Sequence, residues 1–397
     1  MFDRIFIKKN KISESSVDLG KLCEALLFYD RTDFLLDKFT AEQFVTSIEL
    51  EKLKEYSEKG IINLHYKNSA IGIFQFPKGQ KSGYGPMVTK SEAFYLEEYV
   101  NKGFLKVFKG DKAESDKKTI EFLEFCSPQE YVNDFQKLLE SETEDISLLT
   151  SQLKIYINSY LPNLDVSSLE LNIEDKFSTP LGIDSYIFNS NFKLEELTEK
   201  YSALLPNNHT LNWSAFLLNS FESSGDLNIS SQFNAELFTD NKNLPYIQNR
   251  VEELVKKVAK SEKDIETFEN IILEDYRPIR EAINSGEKSF NDFTEIIDKS
   301  LKFKEWLKNL ESDSSLLKQY YDAVIKESWI EKKVAKASRF GIFTGLGILG
   351  DALAGGVPIG SLIASASDNY LLPKLLGGWK PNQFIDSEVK SFLPKNE

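Results

Sequence analysis

Apolar residues recur along this chain with two different periods, and the change of period marks its organisation. Leu22, Ala25, Leu26 and Leu27 predict a short apolar helix running into Phe28, Tyr29 and Asp30. Phe34, Leu35 and Leu36 predict a strand. Phe44, Val45, Ile48, Leu50 and Leu53 then recur at helical spacing over 41–58, with Gly60 placed to end that helix in a left-handed turn. Two β-like runs follow, Ile61–Tyr66 and Ala70–Phe76, separated by Lys67, Asn68 and Ser69. The Pro- and Gly-bearing stretch 77–86 reads as a long polar loop. Residues 1–135 are therefore expected to form a mixed α/β domain.

The next stretch, 136–240, reads as a second α/β region. Ile146, Leu149, Leu153, Tyr156 and Ile157 are helically spaced, and Leu169, Leu171 and Ile173 alternate with polar residues as in a half-exposed strand. Asn- and Ser-rich segments near 188–192 and 219–232 predict surface loops. Between 241 and 335 the pattern turns helical. Val251, Leu254, Val255 and Val258 form one stripe and Ile265, Phe268, Ile271 and Ile272 a second. Phe293, Ile296, Ile297, Leu301, Phe303, Trp306, Leu307 and Leu310 form a third, and Tyr320, Tyr321, Val324 and Ile325 begin another. Pro278 and Asn284-Ser285-Gly286 break the run, so a bundle of three or four helices is expected. The fold class is α+β, closed by a Gly-rich transmembrane or re-entrant helical segment within 336–397.

That last segment breaks every earlier pattern. Phe340–Ser367 is 28 residues with a single charge, Asp351, and seven glycines. About 20 apolar residues span a bilayer as one helix. Lys332, Lys333, Lys336 and Arg339 precede it, while Lys374, Trp379 and Lys380 follow, an arrangement suited to a membrane interface. Gly341/Gly345 and Gly356/Gly360 are small-xxx-small pairs for close helix contact. Gly355-Gly356-Val357-Pro358 breaks the middle. Basic flanks on both sides favour a re-entrant or hairpin arrangement with both ends inside. Each arm would then be about 12–15 residues, or ~18–22 Å, which is short for a bilayer of about 30 Å. Asp351 would face a partner helix or a pore, where a ring of carboxylates selects cations. The competing reading buries the segment inside a soluble oligomer.

Composition narrows the functional classes. The 397 residues are 41% hydrophobic and 12% aromatic, enough for a packed core, and the formal charge is −14. That sign argues against a general nucleic-acid coat. Two cysteines, Cys23 and Cys126, make no disulfide framework and suit a reducing compartment. The opening residues have no apolar signal region, so membrane contact is expected from the cytoplasmic side of the inner membrane.

No motif for chemistry stands out. Gly345, Gly347 and Gly350 match a dinucleotide fingerprint, with Asp368 beyond, but the fingerprint needs a preceding strand and a charged helix is expected there instead. Glu174 and Lys176 have the spacing of metal-dependent nucleases, with Asp165 on an expected adjoining strand, though a solvated strand face explains them too. Gly79, Gly83 and Gly85 read as chain-turning glycines. His65, in a strand, reads as a packed or surface residue, and neither it nor His209 has a ligand partner nearby in sequence. The expectation is no enzyme, no metal and no cofactor.

Three stretches together carry a resemblance: Glu24–Asp30 with the helix after it and Gly60–Leu64; Lys302–Leu307; and the terminal segment ending in Gly377–Ile385. They resemble a family of bacterial proteins encoded beside defence genes, similar in kind to the membrane effectors of the Hailong antiphage system. The resemblance lies in the two ends of the chain and is weak over 136–240. It implies a homo-oligomeric membrane effector. It also implies a partner nucleotidyltransferase whose DNA-oligomer product keeps the effector closed until phage nucleases remove it. No ligand residue is legible from it.

Overall fold

The computed structural model describes residues 4–8, 11–13, 16–67, 70–89, 92–129, 135–205, 209–233, 235–239, 243–258, 272–274, 277–301, 303–304, 338–340 and 392. Among them the chain is mixed α/β, with a seven-stranded sheet, a four-stranded sheet and a small ribbon.

The large sheet begins with β1 (Arg4–Ile7). The ribbon β2 (Lys11–Ser13) and β3 (Ser16–Val17) follows, then α1 (Leu19–Phe28). Asp18 caps α1 by accepting from the Lys21 amide at 2.9 Å. The same carboxylate accepts from Arg280 at 2.5 Å and from Asn284 at 2.7 Å, both on α11 (Arg277–Asn284). Gly20 lies where a Cβ would overlap the Arg280 backbone, so glycine is what lets α1 and α11 touch. Helical crossovers then lay β4 (Arg31–Leu36) and β5 (Ile62–Lys67) side by side, parallel to β1.

Between β4 and β5 the expected single helix over 41–58 is two. They are α2 (Lys38–Ser47) and α3 (Leu50–Glu58), parted by extended Glu49. Gly60, with φ +68°, ends α3 as the sequence suggests. After β5 come β6 (Ala70–Lys78) and β7 (Lys81–Thr89), then α4 (Glu92–Val107), α5 (Lys112–Leu123) and β8 (Cys126–Gln129). β8 returns to the large sheet beside β5. The stretch 77–86 is thus not a long loop. Only Gly79 and Gln80 turn the chain, and Gly79 has φ +63°. Gly83 and Gly85 sit inside β7, where a Cβ would strike Phe177 and Ser185.

The second sheet, in the order β6-β7-β10-β9, is completed by β9 (Leu171–Ser178) and β10 (Asp184–Ser190). Its core is built with α6 (Phe135–Glu144), α7 (Ile146–Tyr160) and α8 (Leu194–Lys200). α9 (Trp213–Phe233) and α10 (Leu244–Val258) complete it. The expected loop over 219–232 is the body of α9, and Phe188–Ser190 end β10. Polar residues within α9 misled the reading. Ser220, Ser223, Asp226 and Ser230 are buried with apolar Phe216, Leu217, Phe221 and Ile229. The helix packs against β6, α7 and α10 and also against β1 and β11 (Glu236–Thr239).

β11 lies on the far side of β1, parallel to it. β13 (Ser338–Phe340) runs antiparallel to both β11 and β12 (Ile272–Glu274) and sits between them. Ile272 is therefore in a strand and not in the helical stripe expected for it; Ile265, Phe268 and Ile271 lie outside the described residues. α10 packs on α7 and α9, whereas α11 and α12 (Phe290–Lys299) pack on α1. Ser289 and Asp292 form a capping box at the start of α12. Phe290, Phe293, Ile296 and Ile297 enter the first core with Phe392.

Candidate functional site

The two faces of the large sheet are chemically unlike. Ile5, Ile7, Phe34, Leu36, Ile62 and Leu64 point to one face, where α1–α5, α11 and α12 bury them. The other face alternates with it, as strand geometry requires. It presents Arg4, Phe6 and Lys8 from β1 and Arg31, Asp33 and Leu35 from β4. Asn63 and His65 come from β5, Ser127 and Gln129 from β8. Register sets them beside one another: Arg4 with Arg31, Asp33 with Asn63, His65 with Ser127.

A continuous line of bonds crosses this face. Arg4 grips Asp33 through Nε and through Nη2, the latter 2.7 Å from Oδ1. His65 Nε2 lies 2.7 Å from the same Oδ1, and Gln129 Nε2 lies 3.0 Å from His65 Nδ1. With Gln129 donating to Nδ1, the proton of a neutral His65 sits on Nε2 and points at Asp33. Burial works against the Asp33 charge, but the hydrogen bonds from Arg4 and His65, with the Arg4 charge, hold its carboxyl below the ordinary range. Hydrogen bonding to Asp33 raises Arg4 in return. Phe233, at the end of α9, closes the line: Arg4 lies 4.7 Å over its ring, Phe6 stacks on it at 5.6 Å, and the His65 ring lies tilted against it at 4.8 Å.

The carboxyl end of β1, beside the point where strand order reverses to β11, is the usual place for a ligand in a parallel sheet. Here it is occupied from within. Lys8 and Asp226 of α9, both fully buried, form an ion pair there. A second buried network joins Arg250 of α10 to Glu142 of α6 at 2.7 Å, with Ser220, Ser223 and Ser224 of α9 and Gln152 of α7 around it.

Several expected candidates are placed apart. Glu174 pairs with Lys81, and Lys176 with Glu140 and Asp184 at 3.0 Å each. Asp165 lies in the loop before β9, not on an adjoining strand, and caps the Ser167 amide at 2.9 Å. Among the described residues no three His, Cys, Asp or Glu groups could hold a metal ion. Burial pushes the thiols of Cys23 and Cys126 up, which leaves them poor nucleophiles. His209 stacks on Tyr160 at 4.1 Å. Asp351, Gly341, Gly345, Gly355, Gly356, Gly360, Lys332, Lys333, Lys336, Trp379 and Lys380 lie outside the described residues. Arg339 is in β13, opposite Phe238 and Leu273. No described helix is long and apolar enough to cross a membrane.

No protein-family model, curated protein or solved structure matches the chain. The site must therefore be read from its own chemistry. Sequence reasoning missed it because Asp33 and His65 are 32 residues apart, and Arg4 and Asp33 are 29 apart. The available signal was a titratable residue in or beside each of two runs expected as strands, Asp33 and His65.

Proposed function

We propose that this chain is an oligomeric effector of antiphage defence that acts at the inner membrane, its soluble body anchoring a Gly-rich apolar segment. The observation carrying this reading is where the two ends of that segment attach. Phe340 closes β13, hydrogen-bonded between β11 and β12. Phe392 is buried in the first core, edge-on to Phe293 at 5.7 Å, with Lys288 over its ring at 5.4 Å. Phe340 and Phe392, the described residues on either side of 341–391, thus belong to one body. A segment held in this way enters a bilayer as a hairpin or re-entrant turn, since a single crossing would put the two ends on opposite sides. The basic flanks on both sides support the same topology.

Gating follows from the same attachment. A ligand that biases the body between two arrangements shifts the segment only as far as it binds one arrangement better. A DNA oligomer made by a partner nucleotidyltransferase is the ligand that the family resemblance suggests, holding the effector closed. Depolarisation of cells expressing the chain without its regulator tests the reading. The full chain should collapse the membrane potential, and a variant lacking 341–380 should not. Asp351→Asn should change which ions pass. Equal toxicity and depolarisation from the deletion variant would refute membrane action by this segment. A stable, detergent-free oligomer with 340–367 protected from exchange would favour a soluble scaffold with the segment in its core.

A further inference from the structure

We propose that Arg4, Arg31 and Asn63 form a binding site for a phosphate-class oxyanion on the polar face of the large sheet. Arg4 and Arg31 are the first residues of β1 and β4 and stand directly opposite each other in register. Neighbouring strands are about 4.8 Å apart, and like charges placed across strands repel. Asp33 neutralises one of the two, and the pair keeps a net positive charge in a protein whose overall charge is −14.

Arg4 is held ready for a ligand. Asp33 engages its Nε and Nη2, and Phe233 lies under its plane, so the orientation of the fork is fixed. Its Nη1 makes no hydrogen bond among the described residues. Arg31 is exposed, and its side chain has no ion pair or hydrogen bond among the described residues. Asn63, half-buried and in register with Asp33, likewise has an uncommitted amide. Two guanidinium edges and an amide N–H on one face supply several donors, and the oxygens of Asp33 beside them are already engaged by Arg4 and His65. Planar forks of this kind suit a tetrahedral oxyanion, which accepts paired hydrogen bonds. Arg4 and Arg31 lie at the amino ends of their strands, away from the crevice that Lys8 and Asp226 fill.

The site is independent of the membrane reading, because the body either binds an oxyanion or does not, wherever 341–391 resides. The test titrates the full chain with inorganic phosphate at constant ionic strength, with chloride as the reference, following thermal unfolding. Selective binding to the folded state raises the unfolding temperature saturably. Arg31→Gln should weaken the apparent phosphate affinity by about tenfold, the loss of one charge-assisted contact. Arg31→Lys should lose less, and Asn63→Ala a few-fold. Flotation with vesicles containing a phosphomonoester lipid, against neutral vesicles, separates the sources. Loss of flotation in Arg31→Gln assigns the phosphate to a lipid headgroup; loss of the phosphate response alone assigns it to a soluble ligand. Either result supports the site. It is overturned if phosphate and chloride act alike on the wild type with no selective flotation, or if Arg31→Gln and Asn63→Ala keep the wild-type response in both arms.

Discussion

The apolar and polar faces of the seven-stranded sheet are made by the same strands, yet they do different work. On the apolar face Ile5, Ile7, Phe34, Leu36, Ile62 and Leu64 are buried, and Phe392 and α12 dock there from the far end of the chain. On the polar face α9 covers β1 and β11, and beyond it stand Arg31, Asn63, Ser127 and Gln129 with at least part of their surface open. Parallel sheets ordinarily bury both faces behind apolar side chains. A polar half-face is a departure that packing alone does not require. One face buries Phe392 and α12; the other keeps Arg31, Asn63, Ser127 and Gln129 at least partly open.

The largest effect should come from the seam between these functions. Lys8→Met leaves Asp226 charged and buried, and should cost about 3–5 kcal/mol in urea unfolding. Little loss would mean that the pair does not tie α9 to the sheet. Phe392→Ala tests the anchor on the apolar face. Truncating a buried phenylalanine should cost about 3 kcal/mol, and an unchanged midpoint would show that the tail is not docked.

Asp33→Asn probes the polar face itself. Removing a buried carboxylate bonded to Arg4 and His65 should cost about 2 kcal/mol at neutral pH. Its pH dependence has a definite sign. Because the folded carboxyl is held below its ordinary range, its contribution is present above the unfolded pKa near ~4 and is lost as pH falls through the folded value. The wild type should therefore lose more stability than Asp33→Asn between pH ~5 and lower values, and parallel curves would remove Asp33 from the ion-paired line. Arg31→Gln should be the smallest, within about 0.5 kcal/mol of wild type without ligand. A larger loss would mean that Arg31 is structural.

Periodicity located α1, β4 and α7, whose apolar residues enter one core each, and it placed a helix over 251–258, where α10 ends. It failed for α9, which enters the second core through Phe216, Leu217 and Phe221 and meets polar partners with its serines and Asp226. Serine and asparagine then signal long-range bonding and not a loop. It failed again at β7, where Gly83 and Gly85 make room for Phe177 and Ser185 instead of turning the chain. The Arg4–Asp33–His65–Gln129 line was illegible for a different reason. Its members come from four strands, and only the parallel register brings them together.

The attachment of both Phe340 and Phe392 to one body matters most if the chain between them meets a bilayer. Fractionation of cells expressing the intact protein, followed by alkaline extraction of the membranes, addresses this directly. The full chain should stay in the extracted membrane fraction, while a variant lacking 341–380 should move to the supernatant with its body folded. Recovery of the intact chain as a soluble species without detergent would contradict the membrane account.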